Sequence, residues 1–202
     1  MTSITASAIR RGVGIGAGLL QCAGLSGLAC LICALFAPRP LWAVMLDGRP
    51  LVWQVGAGTM MGFAFAIPTL FAILKLDVFA SFRTFVLELP DRLDVSGWNP
   101  LWLGLCAGVG EELLFRGALQ LLLGLWWTAL LFVLVHSGTG RFQSMNLMKW
   151  GYAAFLFLVS LMFGLVLIHI GLIAAIVLHA AADAIIFYVL RAVVRRQVSR
   201  EP

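Results

Sequence analysis

The stretch Gly110-Glu111-Glu112-Leu113-Leu114-Phe115-Arg116-Gly117 sets two carboxylates and a guanidinium inside the apolar run Leu101 to Trp127. An ionisable side chain at mid-membrane depth costs about 2.5 to 3.5 kcal/mol on insertion scales, so three so close together need one another or a function. Two further apolar segments repeat the anomaly. One ends Phe132-Val133-Leu134-Val135-His136, and another carries His179-Ala180-Ala181-Ala182-Asp183. General acids and bases of these types, inside apolar sequence, suit hydrolytic chemistry at a site built within a membrane.

On a helix, residues four apart share a face, so Glu112 lies beside Arg116 and the two form an ion pair that makes both tolerable in the bilayer. Glu111 points about 100° away and is left without that partner. A carboxylate in a low-dielectric cavity is a stronger base than one in water, which suits a group that must take a proton from water near pH 7. His136 and His179 are each flanked by apolar sequence and should face the bundle interior. A lone buried His is commonly a satisfied structural residue, but two of them with a spare Glu and an Asp make a constellation. Asp183 lies one turn after His179 on the same face, placed to orient the imidazole or to join it around a reacting centre. The third histidine, His169, falls at a span end beside Gly171 and is read as interfacial.

The elements that must position these groups are membrane helices. The chain is 62% hydrophobic and 11% charged over 202 residues, with mean hydropathy +1.02, whereas a soluble domain is about one quarter charged. The expected fold is all-α, a polytopic membrane helix bundle of about six transmembrane helices, since spans need about 17 to 25 apolar residues each. They run from about Val13 to Ala37, Leu51 to Leu74, Pro100 to a break near Arg116-Gly117, Ala118 to Ser137 with a kink at Gly124, Trp150 to Ile170, and Leu172 to Leu190. No internal repeat or low-complexity tract occurs. The organisation expected is N-terminal helices and an interfacial segment over 1–97, a core over 98–190 and a basic tail over 191–202. The first run is too long for the apolar region of a signal peptide.

With a cytoplasmic N-terminus, one side holds Arg10, Arg11, Lys75, Arg83, Arg92, Arg141, Lys149, Arg191, Arg195, Arg196 and Arg200, against Arg39 and Arg49 on the other. That bias predicts both termini in the cytoplasm. Basic residues dispersed over several loops argue against nucleic acid as a partner and for contact with the lipid bilayer. Between Lys75 and Trp98, Phe82, Phe85, Val86 and Leu89 recur at helical spacing, as in a connector lying in the interface. Cys22, Cys30, Cys33 and Cys106 all lie in spans, and Cys30-Leu31-Ile32-Cys33 has no second pair, so the thiols are read as packing residues. Glycines at 12, 14, 16, 18, 24 and 27 suggest close helix packing by the first span.

Glu-Glu-x-x-x-Arg, then Phe-x-x-x-His, then His-x-x-x-Asx in successive apolar segments resembles the CPBP family of intramembrane proteases, named for CAAX-processing and bacteriocin-processing enzymes and also called the Abi family. The resemblance runs roughly from Trp98 to Leu190, and Glu-Glu-Leu-Leu-Phe-Arg-Gly is similar to the family pattern even in its apolar positions. It implies that Glu111, helped by His136, activates the attacking water. It further implies that Glu112 and Arg116 support the site and that His179 and the Asx position stabilise the oxyanion. The chain carries Asp183 where Asn is commoner. An ionised aspartate cannot donate to an oxyanion, so Asp183 must be protonated, orient His179, or ligate a metal.

Two mechanisms use the same side chains. In one, Glu111 works without a cofactor, and this is the favoured reading. In the other, Glu111, His136, His179 and Asp183 ligate a catalytic zinc, although no His-Glu-x-x-His helix is present. The implied substrate is a membrane-anchored protein or peptide: a peptide precursor, a leader or a C-terminal sorting tail ahead of a prenylated CAAX tail. The short chain with Arg-rich ends has a bacterial look and is expected in the inner (cytoplasmic) membrane. A non-catalytic scaffold of the same fold, or a proton-coupled transporter, would also bury charge, but transporters of that kind are usually built from repeated halves. Nothing in the sequence bears on oligomeric state.

Overall fold

The computed structural model describes residues 14–76, 79–88, 92–137 and 147–198. Among them the regular structure is helical, without a strand: α1 (Ile15–Phe36), α2 (Leu41–Met45), α3 (Leu51–Lys75), α4 (Ala80–Leu87), α5 (Asn99–Glu112), a π-helical segment (Leu113–Leu119), α6 (Gln120–Ser137), α7 (Leu147–His169) and α8 (Leu172–Val198). Proline sets several starts, where its fixed φ and missing N–H cost nothing. Pro40 and Pro50 precede α2 and α3, and Pro100 opens α5.

Five helical runs are long and apolar enough to cross a membrane, and the third, Asn99–His136, has 38 residues. Straight, such a run would measure about 57 Å, nearly twice the hydrocarbon thickness of about 30 Å. Instead it doubles back at Gly124, whose φ of 75° and ψ of 175° lie outside helical space and are open to glycine without a Cβ penalty. Glu111 approaches His136 and the Phe115 and Phe132 rings meet at 5.0 Å, each pair nearly equidistant in sequence from Gly124. Trp126 and Trp127 stand exposed beside the bend, as aromatic residues do at a membrane interface. The all-α membrane bundle is as expected. The reversal is not where the sequence suggested, because Arg116 and Gly117 lie inside a continuous π-helical stretch and the chain turns later, at Gly124.

What fixes α8, the carrier of His179 and Asp183, is a pair of small-residue seams. Its largest contacts are with α3 on one side and α5 on the other. A methyl at Gly58 would lie 2.6 Å from the Ala174 carbonyl oxygen, and one at Gly62 would lie 2.7 Å from the Ala181 Cβ. On the other side, a methyl at Gly104 would lie 2.7 Å from the Ala180 carbonyl oxygen, and one at Gly108 would lie 2.9 Å from the Ala180 nitrogen. Membrane helices gain little from apolar burial alone, so this backbone approach brings in the van der Waals contact that holds them. Gln54, buried in α3, adds a polar tie: it donates to the Asp47 and Arg49 carbonyls and accepts from the Ala174 amide.

The glycine-rich first span contributes less than its composition suggests. Gly14, Gly16, Gly24 and Gly27 have nothing near their missing side chains, and Gly18 alone of the described set lies close to a neighbour, Leu103. Gly12 lies outside the described residues. α1 packs instead through Ala29 and Cys33 onto Leu113, Leu114 and Phe115. Cys33 donates from Sγ to the Gly117 carbonyl, and the four cysteines are free thiols. The connector forms α4, where Val86 is buried beside Ile73 and Leu190, and Arg83 donates to the Ile73 and Leu76 carbonyls at the end of α3. Leu89 and the side chains of Phe82 and Phe85 lie outside the described residues, as do Arg10, Arg11, Arg141 and Arg200.

Candidate active site

Glu111 and Glu112 end α5, and the π-helical turn begins at the next residue. Such wide turns occur often at functional sites. Glu112 through Ala118 are all buried, so the segment is walled on every side and its two charges must be met from within the protein.

They are. Arg116 Nε lies 3.1 Å from Glu112 Oε2, with both side chains 1% exposed. The guanidinium carbon sits 5.1 to 5.7 Å from the centres of the Phe115, Phe132 and Phe163 rings, whose negative faces attract a cation. Arg116 Nη2 donates to both the carbonyl and the hydroxyl oxygen of Ser160 on α7. The expected Glu112–Arg116 pair therefore forms.

Glu112 has a second role that sequence spacing did not reveal. Its Oε1 accepts from His179 Nδ1 at 2.7 Å, a carboxylate–imidazole hydrogen bond across α5 and α8. The other ring nitrogen of His179, Nε2, lies 3.6 Å from Asp183 Oδ2 one turn along. His179 is thus held between two carboxyl groups and wedged edge-on against Phe163, with ring centres 5.2 Å apart.

Across the site, His136 Nε2 faces Glu111 Oε2 at 3.8 Å, with the two side chains 25% and 16% exposed. His136 Nδ1 is 2.9 Å from the Phe132 carbonyl oxygen. A carbonyl only accepts, so Nδ1 carries the proton and donates it, and in the neutral ring Nε2 is the nitrogen with a lone pair toward Glu111. Phe132 also stacks on the imidazole, with centres 4.0 Å apart. The aromatic member of Phe-x-x-x-His thus orients the histidine, touches Phe115 and carries the guanidinium. Glu111 lies within electrostatic reach of His136, His179, Asp183 and Glu112.

All six residues singled out from sequence, Glu111, Glu112, Arg116, His136, His179 and Asp183, come together, whereas His169 lies exposed at the end of α7. Ser160 and Phe163 were not anticipated. The only hint was Ser160 itself, a hydroxyl within the apolar sequence from Ala153 to Ile168. Among the described residues, no group of three or more His, Cys, Asp and Glu side chains is gathered as a metal ion requires.

A protein-family model described as "Type II CAAX prenyl endopeptidase Rce1-like" matches residues 95–185. That segment holds every residue of the constellation, and the resemblance of its motifs to the CAAX-protease family is shown by the match. No curated protein and no solved structure matches the chain. The chain is therefore a helical membrane protein in which residues 95–185 are similar to the Rce1-like CAAX prenyl endopeptidases.

Proposed function

We propose that the chain is an intramembrane endopeptidase that hydrolyses a peptide bond in a membrane-anchored protein or peptide by a metal-free, glutamate-dependent mechanism. The observation that carries this reading is the approach of Glu111 to His136 beside the Glu112–His179 hydrogen bond. At 3.8 Å the first two groups are too far apart for a direct hydrogen bond and close enough for both to hold one water. Glu111 takes a proton from that water as its oxygen attacks the scissile carbonyl, with His136 accepting its other hydrogen bond. The carbonyl oxygen becomes the oxyanion, met by the Nε2–H of the His179 ring protonated on both nitrogens and by Asp183 in its protonated form. Collapse breaks the carbon–nitrogen bond, and the proton held by Glu111 passes to the departing amine. Arg116 and Glu112, closed off from the exterior, keep His179 in place.

The basic residues are consistent with cytoplasmic termini. Arg83 and Arg191 anchor one end of the bundle, Arg191 by donating to the Val95 and Gly97 carbonyls. Arg39 and Arg49 occupy the other, where the Arg49 amide donates to Ile170. In a bacterial inner membrane the substrates are peptide precursors, leaders or C-terminal sorting tails. Comparing the termini of membrane proteins from cells with the wild-type chain, with Glu111→Gln and without the chain tests the reading. Termini that depend on Glu111 support it. Identical termini in all three would leave a non-catalytic scaffold.

A further inference from the structure

Among the described residues, Ser160 supplies the only hydrogen bonds that the Arg116 guanidinium makes. Nη2 donates to the Ser160 hydroxyl at 3.0 Å and to its carbonyl at 3.2 Å, while Nε and Nη1 have no hydrogen-bond acceptor. The Glu112 contact is an ion pair with poor hydrogen-bond direction, since Nε and Oε2 both lack a partner by that measure. The three phenyl rings attract the cation without fixing its rotation in plane. The Ser160 oxygens therefore determine where the guanidinium sits. Its position in turn determines how the Glu112 carboxylate is turned toward His179.

We infer that Ser160 is a positioning residue for the site, the far end of a chain Ser160–Arg116–Glu112–His179 that runs from α7 through the π-helical segment and α5 to α8. Ser160 is 2% exposed and touches neither Glu111 nor a substrate position, so it acts through Arg116. One turn on, Gln120 Nε2 donates to the Gly164 carbonyl. Arg116 and Gln120 meet Ser160 and Gly164 as two rungs, which fixes the axial register of α7 against the π-helical segment. The hydroxyl is the part of this arrangement that register alone does not require.

The inference rests on the endopeptidase reading for its kinetic consequence but not for its geometry, so two readouts separate them. The first is the nitrogen-15 ring shifts of His179 in histidine-labelled full-length protein in detergent at one fixed pH, assigned with His136→Gln and His169→Gln. Ser160→Ala should move the His179 Nδ1 resonance and leave those of His136 in place, and Ser160→Thr, which keeps the hydroxyl, should restore it. Ser160→Cys, with a weakly accepting sulfur, gives an intermediate displacement and stands in if the Ala variant does not fold. Thr128→Val is the control, because the Thr128 hydroxyl is also buried yet has no hydrogen-bond partner; it should leave His179 unmoved. The second readout is turnover. Ser160→Ala should lower kcat by about ten- to a hundredfold at unchanged KM, the scale of a small misplacement of a reacting group, with recovery in Ser160→Thr. An unmoved His179 resonance in Ser160→Ala, or a Thr variant no better than Ala, overturns the inference. A moved and rescued resonance in a protein without any peptidase activity upholds it and removes the endopeptidase reading instead.

Discussion

Glu112 holds His179 by a 2.7 Å hydrogen bond between Oε1 and the ring Nδ1, joining the end of α5 to the middle of α8. Because Glu112 is itself paired with Arg116, the imidazole is anchored to a buried charge pair rather than to a free side chain. The adjacent Glu111 is turned the other way, toward His136. Two neighbouring carboxylates thus face different partners, as the step of about 100° between successive helical residues allows.

Glu111→Gln should abolish peptide cleavage, with a loss of at least about a hundredfold as expected for removal of a general base. Shape and hydrogen-bonding size are preserved, so thermal unfolding should be unchanged. Both are measured on purified protein, with cleavage of a membrane-tethered peptide as the activity. A variant that still cleaves at the wild-type rate would remove Glu111 from the mechanism.

Arg116→Ala should instead act on folding. It leaves Glu112 with the His179 hydrogen bond but without its guanidinium partner in a closed pocket, a loss of about 3 to 5 kcal/mol for a broken buried pair. Folded yield and thermal stability in detergent should both fall. Normal unfolding in that variant would contradict the pairing between Arg116 and Glu112.

Gly108 faces the backbone of α8 at the level of Ile176 and Ala180. Gly108→Val adds branched bulk where even a methyl would be 2.9 Å from a carbonyl oxygen and an amide nitrogen, so α8 must move away. Overpacking of this kind costs about 1 to 3 kcal/mol, and cleavage should fall further than stability because His179 and Asp183 move with the helix. The paired measurement of unfolding temperature and kcat checks this. Activity kept at wild-type level would show that the site tolerates displacement of α8.

Which polar residues the fold gathers was readable from the sequence because charge in an apolar run is expensive wherever it occurs, independent of tertiary detail. The Glu112–Arg116 pair was readable too, since helical spacing of four survives in the wider turn. What spacing cannot reveal is contact between helices. Glu112 with His179, and Arg116 with Ser160, depend on how α8 and α7 approach α5, and that approach is set by glycines that look ordinary in an apolar segment. The first span has more glycine, and there most of it faces outward. The chain reversal was misplaced for a related reason. Gly117 and Gly124 are alike as letters, but Gly117 is held within the π-helical segment beside Leu41 and Leu172, leaving Gly124 to turn.

Asp183 is where the chain departs from the commoner amide, and one substitution tests its role. As a donor to the oxyanion, Asp183 would act through the hydroxyl of its protonated carboxyl group. Asp183→Asn supplies a donor that is neutral at every pH and of similar shape. Activity should persist in that variant. The 3.6 Å approach of Oδ2 to His179 Nε2 leaves both groups near one oxygen, and an amide nitrogen can take up the same position. Were Asp183 a zinc ligand, the same change would weaken the site and activity would come to depend on added zinc. Activities of the wild type and the variant, each recorded with a strong chelator and again with zinc, separate the two mechanisms. The glutamate mechanism predicts a wild type fully active in chelator and a variant indifferent to zinc, and loss of wild-type activity in chelator with recovery on zinc would overturn it.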